Sequence, residues 1–242
     1  MTKLFISDLH LDEQRPEITQ LFLNFLKTEA IKAEELYILG DFFEAWIGDD
    51  DLSPFTLSII QGLRELTQKG LPVYLMHGNR DFLIGKQFEK MTGCKLLRPD
   101  ENVIDLYGVP ALLMHGDTLC TLDVKYLKAR KILRSWIYRR IILLHTLKKR
   151  RKIAANMRAK SRKHLSTTAD YVTDVTQDEV ERIMQKNQVQ LLIHGHTHRE
   201  AVHKFKMGPH DATRIVLGAW HERGSVLVCK PNGERMLLSL DA

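Results

Sequence analysis

The sequence predicts an α/β protein of layered sheets and helices, and three observations carry the prediction. Short apolar runs alternate with amphipathic stretches through the first 76 residues, the order that produces parallel strands joined by helical crossovers. Five apolar runs stop abruptly at a cluster of Asp, Asn, His and Gly, as strands do when their tips deliver polar side chains into loops. One strongly basic stretch interrupts the pattern between the fourth and fifth of these runs.

Taken in order, residues 4–6 read as a buried strand ending at Ser7-Asp8-Leu9-His10. Residues 17–32 have helical spacing, with Ile18, Leu21, Phe22, Phe25 and Leu26 on one face. Residues 36–39 form a second strand that ends at Gly40-Asp41. Ser53 is placed to cap a helix with Pro54 at its first position, carrying Leu57, Ile60, Leu63 and Leu66 to a stop at Gly70. A third strand at 73–76 ends at His77-Gly78-Asn79-Arg80-Asp81. Residues 103–106 and 111–114 flank a turn at Tyr107-Gly108-Val109-Pro110, and the second of them ends at His115-Gly116-Asp117. Residues 175–186 read as a helix opened by a capping box of Thr176 and Glu179. A strand at 191–193 ends at His194-Gly195-His196-Thr197-His198, and short β patterns follow, broken at Gly208-Pro209, Gly224 and Asn232-Gly233.

The bulk properties narrow the function classes. A chain of 242 residues is one large domain or one domain with a sizeable insertion. No apolar run reaches 18 residues, so neither a transmembrane helix nor a signal peptide is expected. Three widely spaced cysteines without a CxxC pair point to a reducing compartment, away from a disulfide framework or a thiolate metal site. The net charge of +6 hides an uneven distribution. Residues 125–169 hold sixteen Lys or Arg and no acid, which leaves 20 bases against 30 acids elsewhere, a net of −10.

In layered α/β folds the site lies beyond the carboxyl ends of the strands, so the five clusters can converge. Asp8 with His10, and His196 with His198, are each spaced to point the same way from an extended backbone. Gly40-Asp41 alone would be an ordinary strand-end turn, and His10 or His115 alone a hydrogen-bonded structural histidine. No packing requirement places such residues at all five tips. Imidazole, carboxylate and amide donors without thiolate suit six-coordinate first-row divalent ions, favouring Mn²⁺ and admitting Zn²⁺, Fe²⁺ or Co²⁺.

With these motifs the chain resembles the calcineurin-like binuclear metallophosphoesterases over nearly its whole length. The residues concerned are FISDLHL (5–11), YILGDFFEAWIGDDD (37–51), HGNRDFLIGK (77–86), LMHGDTLC (113–120), MRAKS (157–161) and LIHGHTHR (192–199). The resemblance implies two mostly mixed β-sheets packed together and flanked by helices. It divides the chain into a core, residues 1–123 and 169–242, and a helical cap insertion at 124–168. It implies two divalent ions, Mn²⁺ above all. Asp8, His10, Asp41 and His198 would bind one, Asp41, Asn79, His115 and His196 the other, with Asp41 bridging and His194 outside the ligand set. Within the family the chain is similar to the branch acting on the lipid nucleotide UDP-2,3-diacylglucosamine in lipid A biosynthesis. That similarity implies water attack on the α-phosphorus, giving UMP and 2,3-diacylglucosamine 1-phosphate. It implies catalytic roles for Asp41, Asn79, Arg80 and His196. Substrate contacts would come from Asn79, Arg80, Asp123, Ser161 and His196, with Arg158 a further phosphate contact. Related enzymes carry more polar contacts after Ser161, where this chain has Leu165 and Thr168. It also implies peripheral binding at the cytoplasmic face of the inner membrane, with no nucleic acid and no obligate protein partner.

Arg80 agrees with pyrophosphate cleavage on chemical grounds. Many phosphoesterases of this fold carry GNH[DE], whose histidine protonates an alkoxide leaving group. A permanently charged guanidinium cannot do that, but it stabilises a departing phosphate. The alternative is a structural ion pair with Asp81.

The basic insertion admits three readings. A solvated charged face fits poorly, because its aliphatic residues are as dense as its charges and no acids balance them. A nucleic-acid arm would make the protein a metal-dependent phosphodiesterase or nuclease, although an aromatic stacking platform is lacking. The third is a cap that rests on an anionic membrane and holds acyl chains in its interior. A non-catalytic scaffold would have no reason to keep all seven ligand residues.

Overall fold

The structure is a computed structural model that describes residues 2–241, the Leu165 side chain excepted. Two mixed sheets pack face to face. The first has six strands in the order β11 (Arg235–Leu240), β10 (Gly224–Cys229), β1 (Lys3–Ile6), β2 (Glu35–Leu39), β3 (Val73–Met76) and β4 (Lys95–Leu97). The second has five, in the order β5 (Asn102–Leu106), β6 (Val109–Met114), β7 (Leu191–His194), β9 (His210–Val216) and β8 (Ala201–Met207). β1 to β4 run parallel, as do β6, β7 and β9, so the tips of β1, β2, β3, β6 and β7 can share one end of the molecule.

Side-chain alternation builds the layers. Leu4, Ile6, Leu36 and Ile38 face outward onto α1 (Pro16–Thr28) and α2 (Pro54–Gln68), while Phe5, Tyr37 and Leu39 face inward onto Ala111, Leu113, Leu191 and Ile193 of the second sheet. Leu112, Met114 and Leu192 cover the far side against α7 (Gln177–Lys186). Strands buried on both faces read as continuous apolar runs, which is why they were recognisable.

Several local expectations are corrected. The helix expected over 17–32 ends at Thr28, because Lys32 and Ala33 donate instead to carbonyls three residues back in a 3₁₀ turn. In α2, capped by the Ser53 hydroxyl as expected, Leu57 faces solvent and Ile59 takes its place in the core. A helix, α3 (Lys86–Thr92), and strand β4 lie where no element was expected. The β5–β6 turn is only Tyr107-Gly108, with φ of 57° and 86°, the mirror-image turn that matches strand twist. Val109 and Pro110 are therefore paired in β6, and Pro110 is tolerated because pairing with β7 begins at Ala111. Thr176 precedes α7 without capping it. Its hydroxyl sits 2.8 Å from that of Thr121 and donates to Leu119 O, and Glu179 pairs with Arg182. Gly224 opens β10 rather than breaking it.

The basic stretch forms three helices, α4 (Val124–Leu133), α5 (Trp136–Leu143) and α6 (Leu147–Thr167). Arg150 of α6 fastens them to the loop after β2, donating to Ile47 O and Asp50 Oδ1 at 2.7 Å each. The three cysteines are buried and free. Among the described residues no helix is long and apolar enough to cross a membrane.

Candidate metal centre

The strand-tip loops are stitched to one another by backbone hydrogen bonds. Asp8 N–H donates to Gly40 O and His10 N–H to Asp41 O at 3.0 Å, and Gly195 N–H to His115 O at 2.9 Å. The backbone here is not extended, as the Asp8/His10 and His196/His198 spacing suggested. Asp8, His10, Asp41, His196 and His198 have φ of 54°, 48°, 48°, 70° and 58°, so each pair converges through left-handed turns. Each such residue costs on the order of 1–3 kcal/mol, and five of them at one place mark a site whose geometry the surrounding packing enforces. Gly78 is required for a separate reason. A Cβ there would lie 2.1 Å from both Asp41 N and Asp41 Oδ1.

Two donor groups result. Asp8, His10 and His198 each offer one atom within 4.8 Å of the others, and so do Asp41, His115 and His196. In the first, His198 Nε2 lies 3.2 Å from Asp8 Oδ1 and 3.3 Å from His10 Nε2. Asp41 stands between the groups, its Oδ2 3.8 Å from His10 Nε2 and its Oδ1 3.7 Å from His115 Nε2. The Asn79 amide reaches Asp41 Oδ2 at 2.6 Å and His115 Nε2 at 3.2 Å.

Neighbouring groups aim these donors. Asp8 Oδ2 accepts from Ser7 Oγ and His196 N–H, leaving Oδ1 buried without a hydrogen-bond partner. His115 Nδ1–H donates to Leu39 O at 2.9 Å, so its Nε2 lone pair points into the cluster. Glu44 Oε2 lies 3.1 Å from His10 Nδ1, an ion-pair separation that places a negative charge behind that ring. An orphaned buried carboxylate oxygen beside two convergent imidazole nitrogens, those of His10 and His198, is a donor set that fits a divalent cation. Electrostatics agree. Burial opposes protonation of His10, yet Glu44, Asp41 and Asp8 outweigh it and raise its pKa. Burial likewise opposes protonation of His115, and Asp41 and Asp8 raise it. Both shifts report a negative field that favours a positive charge.

The other expected residues divide. Arg80 does not pair with Asp81, whose buried carboxylate accepts from Gly78 N–H and Phe42 N–H at 2.7 Å each. Instead Arg80 Nη1 lies 3.5 Å from Glu44 Oε1, and its buried Nε has no partner. His194 lies outside both groups, held by Gly195 O and Arg214, and burial pushes its pKa down to about 3. Asp117, part of the fourth motif, turns away to Arg130 and Tyr126.

Beside the cluster, α4, α5 and α6 and the loops after β2 and β3 line a chamber of about 530 Å³ that opens to solvent. Asn79, Arg80, Arg158 and Ser161 line it, with Trp46, Ile47, Phe82, Leu83, Leu133, Ile142 and Met157 supplying apolar walls. Asp123 is not in the lining. Its carboxylate caps α4 through Tyr126 N–H at 3.0 Å and meets His164 Nε2 at 2.8 Å. The Thr168 hydroxyl donates to His164 O, and the Leu165 side chain lies outside the described residues. Glu44 and His164 carried no sequence signal of their own, because their partners are distant along the chain.

The family model for calcineurin-like phosphoesterases matches residues 1–200. Proteins named UDP-2,3-diacylglucosamine hydrolase are similar along nearly the whole chain. One from Pseudomonas aeruginosa strain PAO1 is 52% identical over 97% of this chain and 98% of its own length. One from Coxiella burnetii strain RSA 493 is 54% identical over 93% and 91%. One from Pseudomonas fluorescens strain Pf0-1 is 51% identical over 95% and 92%. A solved structure of vacuolar protein sorting 29 from Cryptosporidium parvum aligns over 98% of this chain and 95% of its own at 13% identity, with a TM-score of 0.49. The chain is a hydrolase and belongs to the calcineurin-like phosphoesterase family.

Proposed function

We propose that the chain hydrolyses the pyrophosphate of UDP-2,3-diacylglucosamine by water attack on the α-phosphorus, giving UMP and 2,3-diacylglucosamine 1-phosphate. The observation that carries this reading is the continuity of the donor cluster with the apolar chamber. Asn79 contacts Asp41 and His115 and lines the chamber, with Arg80 beside it. A phosphate held at the cluster would therefore have its lipid arm directed into apolar walls. The substrate named for the three relatives supports the same choice.

In this reading Asp8, His10, Asp41 and His198 hold one divalent ion and Asp41, Asn79, His115 and His196 the other, with Mn²⁺ the metal these donors favour. When bound, the ions supply Lewis acidity toward the phosphate and lower the pKa of water at the site. The chain's own residues do the rest. Arg80, steadied by Glu44, presents its guanidinium to the pyrophosphate and stabilises the departing phosphate, which needs no proton. Ser161 and Arg158 face the sugar and phosphate from the chamber wall. Asp123 joins the two ends of the cap, 124–168, through His164 and reaches substrate only by releasing it. Each acyl methylene buried in the chamber contributes about 0.8 kcal/mol.

The cap also presents Ile132, Trp136, Ile137, Ile141 and Leu144, all at least half exposed, on a segment without acidic residues. This supports peripheral attachment to the anionic cytoplasmic face of the inner membrane. The test is product analysis with Mn²⁺ on the lipid nucleotide, beside short single-stranded DNA and cyclic nucleotides. UMP from the lipid nucleotide is expected. Cleaved DNA without UMP would overturn the assignment in favour of a nuclease.

A further inference from the structure

The first helix of the cap is tied to the metal loops as closely as to the chamber. On one side α4 lines the chamber with Ala129, Ile132 and Leu133. On the other, Tyr126 and Arg130 of the helix and Arg134, the residue that caps its C-terminus, reach the strand tips. Arg134 Nη2 donates to Gly78 O at 2.7 Å and His77 O at 3.1 Å, the two carbonyls immediately before Asn79. The Tyr126 ring stacks on His196 with centroids 6.2 Å apart and planes 27° apart, and its hydroxyl donates to Asp117. Arg130 Nε donates to the same Asp117, two residues after His115, at 2.6 Å. Asp100 closes the network, 2.9 Å from Arg130 and 2.7 Å from Arg134. Asp117 is fully buried, so its charge is held only because these partners surround it.

Resting on the dimetal reading above, we infer that Tyr126, Arg130 and Arg134 are positioning residues for one ion, orienting His196, His115 and Asn79 from the cap. All three of those residues serve the second ion in that reading, and none of the hydrogen bonds and stacking contacts just described reaches Asp8, His10 or His198. The cap is thus part of the scaffold of the second metal position as well as a lid over the substrate.

The inference is specific to one ion of two, and that makes it testable without turnover. Metal-stripped protein is titrated with Mn²⁺ against a competing chelator for wild type, Tyr126→Phe, Arg134→Met and Lys131→Met. The last removes a base from the same helix at an exposed position that touches no metal loop. Circular dichroism and the melting midpoint of the metal-free proteins confirm folding. Loss of an outer partner of a metal ligand weakens affinity by about 10–100-fold. Tyr126→Phe and Arg134→Met are expected to weaken one ion by that factor and leave the other within about threefold, with Lys131→Met unchanged. Two ions bound with wild-type affinity by both variants would overturn the inference, as would equal weakening of both ions. If Tyr126→Phe and Arg134→Met differ, a folded Arg134→Lys variant that restores affinity supports positioning, and failure of either folded variant to move it counts against that residue. Wild-type protein that binds fewer than two ions would instead overturn the dimetal reading itself.

Discussion

Gly78→Ala adds one methyl group at a residue that ligates nothing, and the structure says where that methyl must go. Its Cβ would lie 2.1 Å from Asp41 N and Oδ1 and 2.8 Å from Asp41 Cγ, whereas ordinary contact begins at 3.4 Å. The tips of β2 and β3 must therefore part by about 1.3 Å, and the atoms struck are backbone and a buried carboxylate rather than a flexible side-chain end. Overpacking of this kind costs about 1–3 kcal/mol, which for a chain of this size lowers the melting midpoint by roughly 2–12 °C. The functional effect should be larger, because Asp41 and Asn79 ride on the two tips being separated. A displacement of about 1 Å at a reacting centre costs on the order of 100-fold in rate. Metal content after dialysis, melting midpoint and UMP release are measured on the same preparation. The expected result is substoichiometric metal and a rate down by about 100-fold with a folded protein. A folded variant with two ions and wild-type turnover would refute the argument that the loops meet this closely.

Other substitutions and conditions probe separate links. Arg80→Ala should slow turnover by about 100- to 1,000-fold with both ions retained, since it removes a donor to the phosphate and no ligand; loss of metal in that variant would make its role structural. Ile142→Asp places an uncompensated charge in a buried chamber wall and should lower kcat/KM on the lipid nucleotide by about 100-fold while metal content is unchanged. The pH dependence of metal binding has a definite sign. Glu44, Asp41 and Asp8 raise His10 despite its burial, and Asp41 and Asp8 raise His115, both above the ordinary 6.5. The metal-free protein therefore holds that stabilisation below pH 6.5 and loses it as pH rises through the raised values, while divalent ions require neutral imidazoles. The gain in melting midpoint on adding Mn²⁺ should grow from pH 5.5 to pH 8, and a flat or falling gain would contradict the assignment of these histidines.

The strands and their polar tips were legible because both signals are local, an apolar run followed at once by its ligand cluster. Spacing and donor chemistry marked the five strand-tip clusters, the family resemblance singled out Asp8, His10, Asp41, Asn79, His115, His196 and His198 among them, and the structure gathers these seven at one end of the sheets. What escaped the sequence depends on distant partners. Helix α3 has no cap of its own. Its first amides are held by Asp49, which accepts from Gly85, Gln87 and Phe88 N–H at 3.0 Å each from 36 or more residues away. The Thr176 box looked complete, but the turn at Leu119 recruits the hydroxyl first. Glu44, Arg130 and Arg134 act only through residues brought near by folding. Left-handed backbone at five Asp and His residues of the site has only a weak propensity signature, because tertiary hydrogen bonds impose it.

In the proposed reaction water attacks the α-phosphorus of the lipid nucleotide at a dimetal centre joined to the chamber. Turnover in ¹⁸O-labelled water with Mn²⁺, followed by mass spectrometry of both products, tests it most directly. One ¹⁸O atom is expected in UMP and none in 2,3-diacylglucosamine 1-phosphate. Label in the lipid phosphate would place the attack on the other phosphorus and contradict it.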